Sequence, residues 1–532
     1  MLTPFGEIPD RLARHMTMAE QHEYLRRRRP SRRAVLGSAL AAVAGPTLLA
    51  GTARASVTTP AQVGPRYLAF GGDPARAMTV SFSTPARFGR ALVRYGPVAE
   101  TGEATDLGAT AEVELANVDL ATTSYGHANL TALAPATAYR YRLSVDGAEG
   151  PEGTFTTAPD GPAPFTFTAF GDQDVTADAV AILGQVAGAK PAFHLHAGDL
   201  CYAAGGSGLL TESFSIRRWD RWLDQISPVA SKVPWMPAVG NHEMEPGYDI
   251  HGYGGVLGRL AVPTGGAPGC PATYAFRYGN VGFISLDSND VSYEIPANFG
   301  YSAGSQLRWL EAILARYRRD RSGVDFIVVY FHHCAFSTSN AHGSEGGVRE
   351  LWVPLFDRYA VDLVINGHNH SYERTLPLRA GRPVAGGAGE VDSTVGTTYV
   401  TAGGGGAART PGFGHVSGSS TIWQSDGRPY SEAVDWSMPT GADQYSVLIA
   451  EVAPGPAAGG ETTMKLRAVG ADGTVLDRVT LRRPARPHEP AAAQAEGGGD
   501  GVAPWAIGGA AALATVVAAG GGYAVHRHLT TR

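Results

Sequence analysis

Cysteine is scarce. Three occur in 532 residues, Cys201, Cys270 and Cys334, and three cannot build a disulfide framework. One bridge with a thiol left over and three free thiols both remain open. No C-x-x-C pair occurs, which argues against a thiolate zinc site. Charge is sparse too: Asp, Glu, Lys and Arg make up 17% of the chain and the net charge is −6. No long basic stripe runs through the body of the chain, so its charge gives no reason to expect a nucleic-acid partner. No internal repeat is visible. What is plentiful is apolar: hydrophobic residues reach 44%, which suits a globular protein. The length exceeds one ordinary domain, and 69 Gly with 35 Pro mark many turns and linkers.

Both ends carry patterns to set apart from the fold. A basic run, Arg26 to Arg29, leads into Ser31-Arg32-Arg33-Ala34-Val35-Leu36-Gly37, an apolar stretch to Ala50, and the small-x-small pattern Ala53-Arg54-Ala55. This looks like a twin-arginine export signal over residues 1–55; an uncleaved N-terminal anchor is the plainer alternative. At the other end, Ala503 to Val525 holds no charge and is followed by His526-Arg527-His528 and Arg532. That length can span a bilayer, with the basic tail 526–532 in the cytoplasm; a disordered apolar tail is the alternative. Pro484 to Gly501 is rich in Pro, Ala and Gly, giving a linker over 485–502. The two ends together describe a body exported and either held on the outer face of the cytoplasmic membrane or secreted.

Residues 56–158 read as short strands, among them Met78 to Ser83 and Arg90 to Tyr95. The run Leu133-Ala134-Pro135-Ala136-Thr137-Ala138-Tyr139-Arg140-Tyr141 resembles the L-x-P-x-T-x-Y-x-Y segment of fibronectin type III-like sandwiches, where a tyrosine corner fixes the crossover. No catalytic cluster falls here, so a packing module is expected, with a ligand-binding sandwich as the alternative. From 159 to 484 the period changes. Apolar strand-like runs (Phe165 to Phe170, Ala192 to Ala197, Trp235 to Val239, Val281 to Leu286, Phe326 to Phe331, Val361 to Ile365) alternate with helix-like runs (Val175 to Ala187, Arg217 to Ala230, Gln306 to Tyr317, Val348 to Tyr359). That alternation means a layered α/β domain. Thr397 to Thr401, Tyr445 to Val452, Met464 to Val469 and Val475 to Leu481 close it as strands.

Five polar blocks follow apolar runs directly, where α/β sheets place their sites. They are Gly171-Asp172-Gln173-Asp174, Gly198-Asp199-Leu200-Cys201-Tyr202, Gly240-Asn241-His242-Glu243, Val329-Tyr330-Phe331-His332 and Gly367-His368-Asn369-His370. Each alone is a common turn or a core histidine; all five in order are a constellation. Hydrolysis of a phosphate ester needs a strong nucleophile near neutral pH and positive charge against the phosphoryl oxygens. Two metals about 3.5–4 Å apart supply both. Carboxylates, imidazoles and an amide oxygen suit iron, zinc or manganese.

These blocks resemble the metallophosphoesterase signature, and the tyrosine three residues after the second aspartate resembles its purple acid phosphatase branch. The similarity runs from about Ser56 to Leu481 and continues past the ligands through Ser371-Tyr372-Glu373-Arg374. It implies a four-layer α/β/β/α metallophosphoesterase sandwich preceded by an all-β fibronectin type III-like sandwich. It implies ferric iron held by Asp172, Tyr202 and His370, a bridging Asp199, and a divalent metal (zinc, manganese or iron) held by Asn241, His332 and His368. It implies acid phosphatase activity on small phosphorylated substrates, with a metal-bound hydroxide attacking phosphorus, and no nucleic acid.

Two features depart from the family pattern. The first block carries Asp174 where other metallophosphoesterases carry His, which fits a tyrosine taking over as ligand; Asp174 is expected beside the site or at the surface. The plant-like enzymes carry two adjacent histidines in the loop after His332, whereas here they are Ala341 and His342. Protonation of the leaving group would then rest on His242 and His342, the two catalytic candidates. Strand alternation is expected to turn His333 away from the side that carries His332. His194 and His196 are expected in the core, and Cys201 and Cys334 in packing, with a disulfide to Cys270 as a minor option. Two rivals remain: a phosphodiesterase or phospholipase on the same scaffold, and a non-enzymatic surface protein.

Overall fold

Between residues 66 and 156 the strands are short and all their pairings are antiparallel. In a computed structural model they form two antiparallel sheets. One runs in the order Arg66–Ala69, Met78–Thr84, Ser124–Leu130, Glu114–Ala116. The other places Ala91–Pro97 between Ala138–Val145 and Ala109–Glu112, with Ala148–Glu149 and Gly153–Thr156 both pairing Ala138–Val145. Val80, Phe82, Ala128, Val93, Tyr141 and Leu143 are buried in one core. The Tyr139 hydroxyl accepts the Ala134 N–H at 2.8 Å, the corner contact that its sequence segment suggests. This β-sandwich does not keep its core to itself. Phe70 meets Phe193 of the next domain edge-on at 5.7 Å. The Tyr67 and Tyr141 hydroxyls donate to the carbonyls of Arg259 and Ser231, each at 2.7 Å.

The structure describes residues 63–487 except 86, 100–106, 119–120, 122, 204–214, 246–247, 320, 385–386, 388, 410–413, 439–443 and 457–459, and outside that stretch only 2–3, 6–7, 20–21 and 23–24. The twin-arginine pattern, its cleavage site, the apolar stretch 503–525 and the tail 526–532 lie outside the described residues. Among the described residues no helix is long and apolar enough to cross a membrane.

The second domain is built on two seven-stranded sheets. The first runs Trp235–Ala238, Phe193–Ala197, Phe165–Phe170, Ser446–Ala453, Glu461–Gly470, Val475–Pro484, Glu390–Asp392. Its first three strands are parallel, joined by the crossover helices Ala177–Ala189 and Arg217–Ala230. Pro237 is tolerated because its strand is the sheet edge. The second sheet runs Tyr274–Tyr278, Val281–Ser285, Phe326–Phe331, Leu363–Asn366, Thr398–Ala402, Tyr372–Thr375, Ser437–Met438. Phe193–Ala197, Phe326–Phe331 and Leu363–Asn366 are buried along their whole length, and Phe165–Phe170 from Phe167 onward, as continuous apolar runs require.

The two sheets share a core. Phe167 and Phe193 of the first pack edge-on against Phe283 of the second at 5.2 and 5.1 Å, each ring contributing roughly 1.5–3 kcal/mol of burial. On the other face of the second sheet, helix Ser305–Arg318 lays Leu310 and Leu314 against Ile327, Val329 and Val364. The single helix expected over 348–359 is two, Gly346–Leu351 and Val353–Arg358. Pro354 has no N–H to continue the ladder, so the chain breaks at Trp352.

Candidate metal centre

Both sheets deliver their polar blocks to the same rim, because each block follows the carboxyl end of a parallel strand. The turns that carry them are unusual. Asp172, Asp199, Tyr202 and His368 have φ of +58°, +53°, +49° and +69°, a region non-glycine residues enter only under constraint. Close backbone approach explains part of that constraint. A Cβ on Gly367 would stand 2.5 Å from Asp172 Oδ2, so only glycine fits between the first and fifth blocks.

Six of the seven residues named from sequence fall into two groups. In the first, the Tyr202 hydroxyl lies 3.1 Å from Asp172 Oδ1 and 3.0 Å from His370 Nε2. His370 Nε2 is 3.4 Å from the same Asp172 oxygen. In the second, His332 Nε2 is 3.2 Å from Asp199 Oδ2 and 3.1 Å from His368 Nδ1. The groups are tied by the His368 backbone N–H, which donates to Asp172 Oδ2 at 2.8 Å. Asn241 Oδ1 is buried and has no hydrogen-bond partner, a costly state for an amide oxygen unless a cation meets it.

Outer contacts fix which ring nitrogens carry protons. His332 Nδ1 faces the Ala197 carbonyl at 2.9 Å and His370 Nδ1 faces the Ala408 carbonyl at 2.7 Å. His368 Nε2 faces Glu294 Oε2 at 2.9 Å. Each outer nitrogen therefore donates, and in the neutral ring each inner nitrogen turns its lone pair to the cluster, the arrangement typical of metal-ligating histidines. Two bare nitrogens and a carboxylate oxygen all within 4.8 Å of one another repel unless a positive charge sits among them. A second proton on His332 can supply that charge where no metal does. Burial works against charge on His332, yet the carboxylates of Asp199 and Asp172 overturn it and push its pKa up to about 10. Burial, then Asp172 and Asp199, raise the Tyr202 phenol well above its ordinary value, so only a strongly Lewis-acidic cation would release its proton. The donor set of three imidazoles, two carboxylates, a phenol and an amide fits two metals.

His242 flanks this cluster. Its ring packs on Tyr202 at 4.3 Å, its Nε2 is 4.0 Å from Asp199 Oδ2, and its backbone N–H donates to Asp199 Oδ1 at 2.9 Å. The His342 ring lies 4.0 Å from that of His368, tilted by 33°, with its side chain one-third exposed. Burial alone would lower its pKa; the neighbouring Glu294 carboxylate raises it.

Asp174 is buried and bound to Arg218, whose Nε also holds the Cys201 carbonyl at 3.2 Å. It supports the Tyr202 loop and is absent from the cluster. All three cysteines are buried free thiols. Cys334 donates to the Gly367 carbonyl at 2.9 Å, and Cys270 pairs with the Tyr301 hydroxyl at 2.7 Å. His194 and His196 are fully buried beside Phe170. The expectation for His333 needs correction. Its ring lies 4.5 Å from that of His368 and its Nδ1 pairs with Ser288 Oγ at 2.8 Å. The strand ends at Phe331, so alternation no longer governs the two histidines that follow.

Two residues that surround the cluster were not singled out from sequence. Glu243 accepts the backbone N–H groups of Gly240, Asp199 and Leu200 at 2.7, 2.8 and 2.9 Å. Its place directly after Asn241-His242 was the only signal. Glu294 lies in no motif.

Set beside known proteins, residues 168–372 match the family described as calcineurin-like phosphoesterase. The chain is thus a metallophosphoesterase by sequence as well as by fold. Residues 63–157 match the purple acid phosphatase N-terminal domain. An uncharacterized protein of Mycobacterium tuberculosis is 34% identical over 490 residues, covering 79% of this chain and 87% of its own. Purple acid phosphatase 18 of Arabidopsis thaliana is 29% identical over 62% of this chain and 69% of its own. Among solved structures, purple acid phosphatase PPD1 from yellow lupin seeds superposes with a TM-score of 0.61 at 22% identity, over 79% of this chain and 75% of that one. The chain belongs to the purple acid phosphatase family.

Proposed function

We propose that this protein is a dinuclear metallohydrolase of phosphate monoesters. The observation that carries the reading is the donor set Asp172, Asp199, Tyr202, Asn241, His332, His368 and His370, whose three imidazoles each bind a carbonyl or carboxylate through the outer nitrogen and turn the inner one to the cluster. Asp172, Tyr202 and His370 would hold ferric iron, since a phenolate with a carboxylate favours a hard trivalent cation. Asn241, His332 and His368 would hold the divalent metal, and Asp199 would bridge. Bound there, the pair supplies a nucleophile at neutral pH and positive charge against the phosphoryl group.

The chain's own residues do the rest. His242, packed on Tyr202, is placed to hold a phosphoryl oxygen. His342 reaches the same rim from a separate loop and is suited to hand a proton to the leaving oxygen. The neighbouring helices and facing sheets support a four-layer α/β/β/α reading, and the Tyr139 corner supports a fibronectin type III-like one for the N-terminal sandwich. Export by the twin-arginine route, which carries folded proteins with their metals already bound, fits the sequence pattern, with the body anchored outside the membrane or secreted.

The rival on the same scaffold is a diesterase or phospholipase, and turnover of p-nitrophenyl phosphate against bis-p-nitrophenyl phosphate separates them. The monoester should be preferred by at least about ten-fold in kcat/KM; preference for the bis-ester would replace this reading. A Tyr202→Phe variant should lose the broad visible absorption that iron-bound tyrosinate gives. Colour retained in that variant would remove the ferric assignment. An inert surface protein is disfavoured by a donor set with no member missing.

A further inference from the structure

We infer that Glu294 is a positioning residue for the acid side of the site, holding His342 and the metal-ligand candidate His368 with one carboxylate. The inference rests on the monoester reading for one of its two tests. Glu294 Oε1 lies 2.7 Å from His342 Nδ1, and Oε2 lies 2.9 Å from His368 Nε2. These nitrogens are the outer ones of their rings. The carboxylate can only accept, so both nitrogens carry a proton. His368 is thereby left with a bare Nδ1 facing the cluster, and His342 presents Nε2 as its remaining polar atom.

His342 sits on a loop beside Ala341, whose methyl group offers no hydrogen bond. Glu294 braces it from another segment, 48 residues away in sequence. Glu294 is itself held. The turn Ser292–Ile295 is clamped by Glu345, which accepts the Ser292 hydroxyl at 2.8 Å and the backbone N–H groups of Tyr293 and Glu294 at 2.7 and 3.2 Å. Glu345 lies three residues after His342, and Trp423 Nε1 fixes the His342 carbonyl at 2.7 Å. The side chain of Glu294 is 12% exposed, so both of its contacts are largely shielded from water. One carboxylate thus fixes the spacing between the group that serves the leaving oxygen and a ligand of the second metal.

The test uses the full chain with Glu294→Ala and Glu294→Gln, checked for wild-type circular dichroism and thermal unfolding. Metal retention is measured by elemental analysis after dialysis against graded chelator. Glu294→Ala should weaken the divalent metal by about 10–100-fold while the visible band of the Tyr202 site keeps its strength. Turnover is then compared between p-nitrophenyl phosphate and an alkyl phosphate, whose poor leaving group depends on a proton donor. The variant should lose at least about ten-fold more on the alkyl ester. Glu294→Gln offers one acceptor oxygen instead of two and should fall between. Wild-type metal retention in Glu294→Ala, with equal losses on both esters, would overturn the proposal. So would a third metal bound by the wild-type chain and lost in the variant, since a cation rather than a hydrogen-bonded carboxylate would then hold His342. A wild-type chain that holds two metals but cleaves neither ester counts against the monoester reading, and metal retention alone then decides the role of Glu294.

Discussion

Asp199→Asn should reduce turnover of a phosphate monoester by on the order of 10³-fold or more and leave the fold intact. The size follows from position. Asp199 is the one carboxylate that faces His332 across 3.2 Å while its other oxygen fixes the His242 backbone at 2.9 Å. Under the proposed assignment one negative charge there would serve both cations. Loss of a single well-placed electrostatic contact in an active site already costs about 10²–10³-fold, and here the same change loosens the metals. Asparagine keeps an oxygen for the His242 N–H, so circular dichroism and unfolding should match the wild type. Bound metal should fall from two per chain toward one. Unchanged turnover in the variant would mean that the chemistry lies elsewhere.

Glu243→Ala should destabilise the protein by about 3–5 kcal/mol, measured by urea unfolding of the metal-free chain. The carboxylate is fully buried and satisfies three backbone N–H groups, those of Gly240, Asp199 and Leu200. Each buried donor left without a partner costs about 1–3 kcal/mol, and the void adds to that. The same contacts lock the second and third blocks together and oppose the positive φ of Asp199 relaxing. Glu243→Gln retains one accepting oxygen and should cost roughly half as much. A loss below about 1 kcal/mol in the alanine variant would show that these N–H groups find other partners.

Much of the frame was legible from local pattern. Phe165–Phe170 and Phe326–Phe331 are strands with the bounds their apolar runs suggest, and the helix Arg217–Ala230 keeps its ends. Those runs are legible because a buried parallel strand is apolar on both faces. The residues that form the cluster were legible because each sits directly after such a run.

What pattern could not reach is what joins distant segments. Glu294 meets His368 across 74 residues of sequence, with no motif around it. The side of His333 depends on where a strand stops, and one residue more of regular strand would have turned it away. Pro354 sits inside a run whose apolar spacing still reads as one helix. The Tyr67 and Tyr141 contacts that dock the sandwich are invisible for the same reason as Glu294: long-range partners leave no period in the chain. The ends of the chain were read from composition alone, and export and anchoring stay with that reading.

Elemental analysis of the purified chain, taken alongside its activity, tests most directly whether two metals share one cluster. About two metals per chain are expected, one of them iron. A strong chelator should remove both and abolish turnover of p-nitrophenyl phosphate, and restoring iron with a divalent metal should return it. Full activity in a chain carrying fewer than about 0.2 metals would show that hydrolysis does not depend on the metal pair.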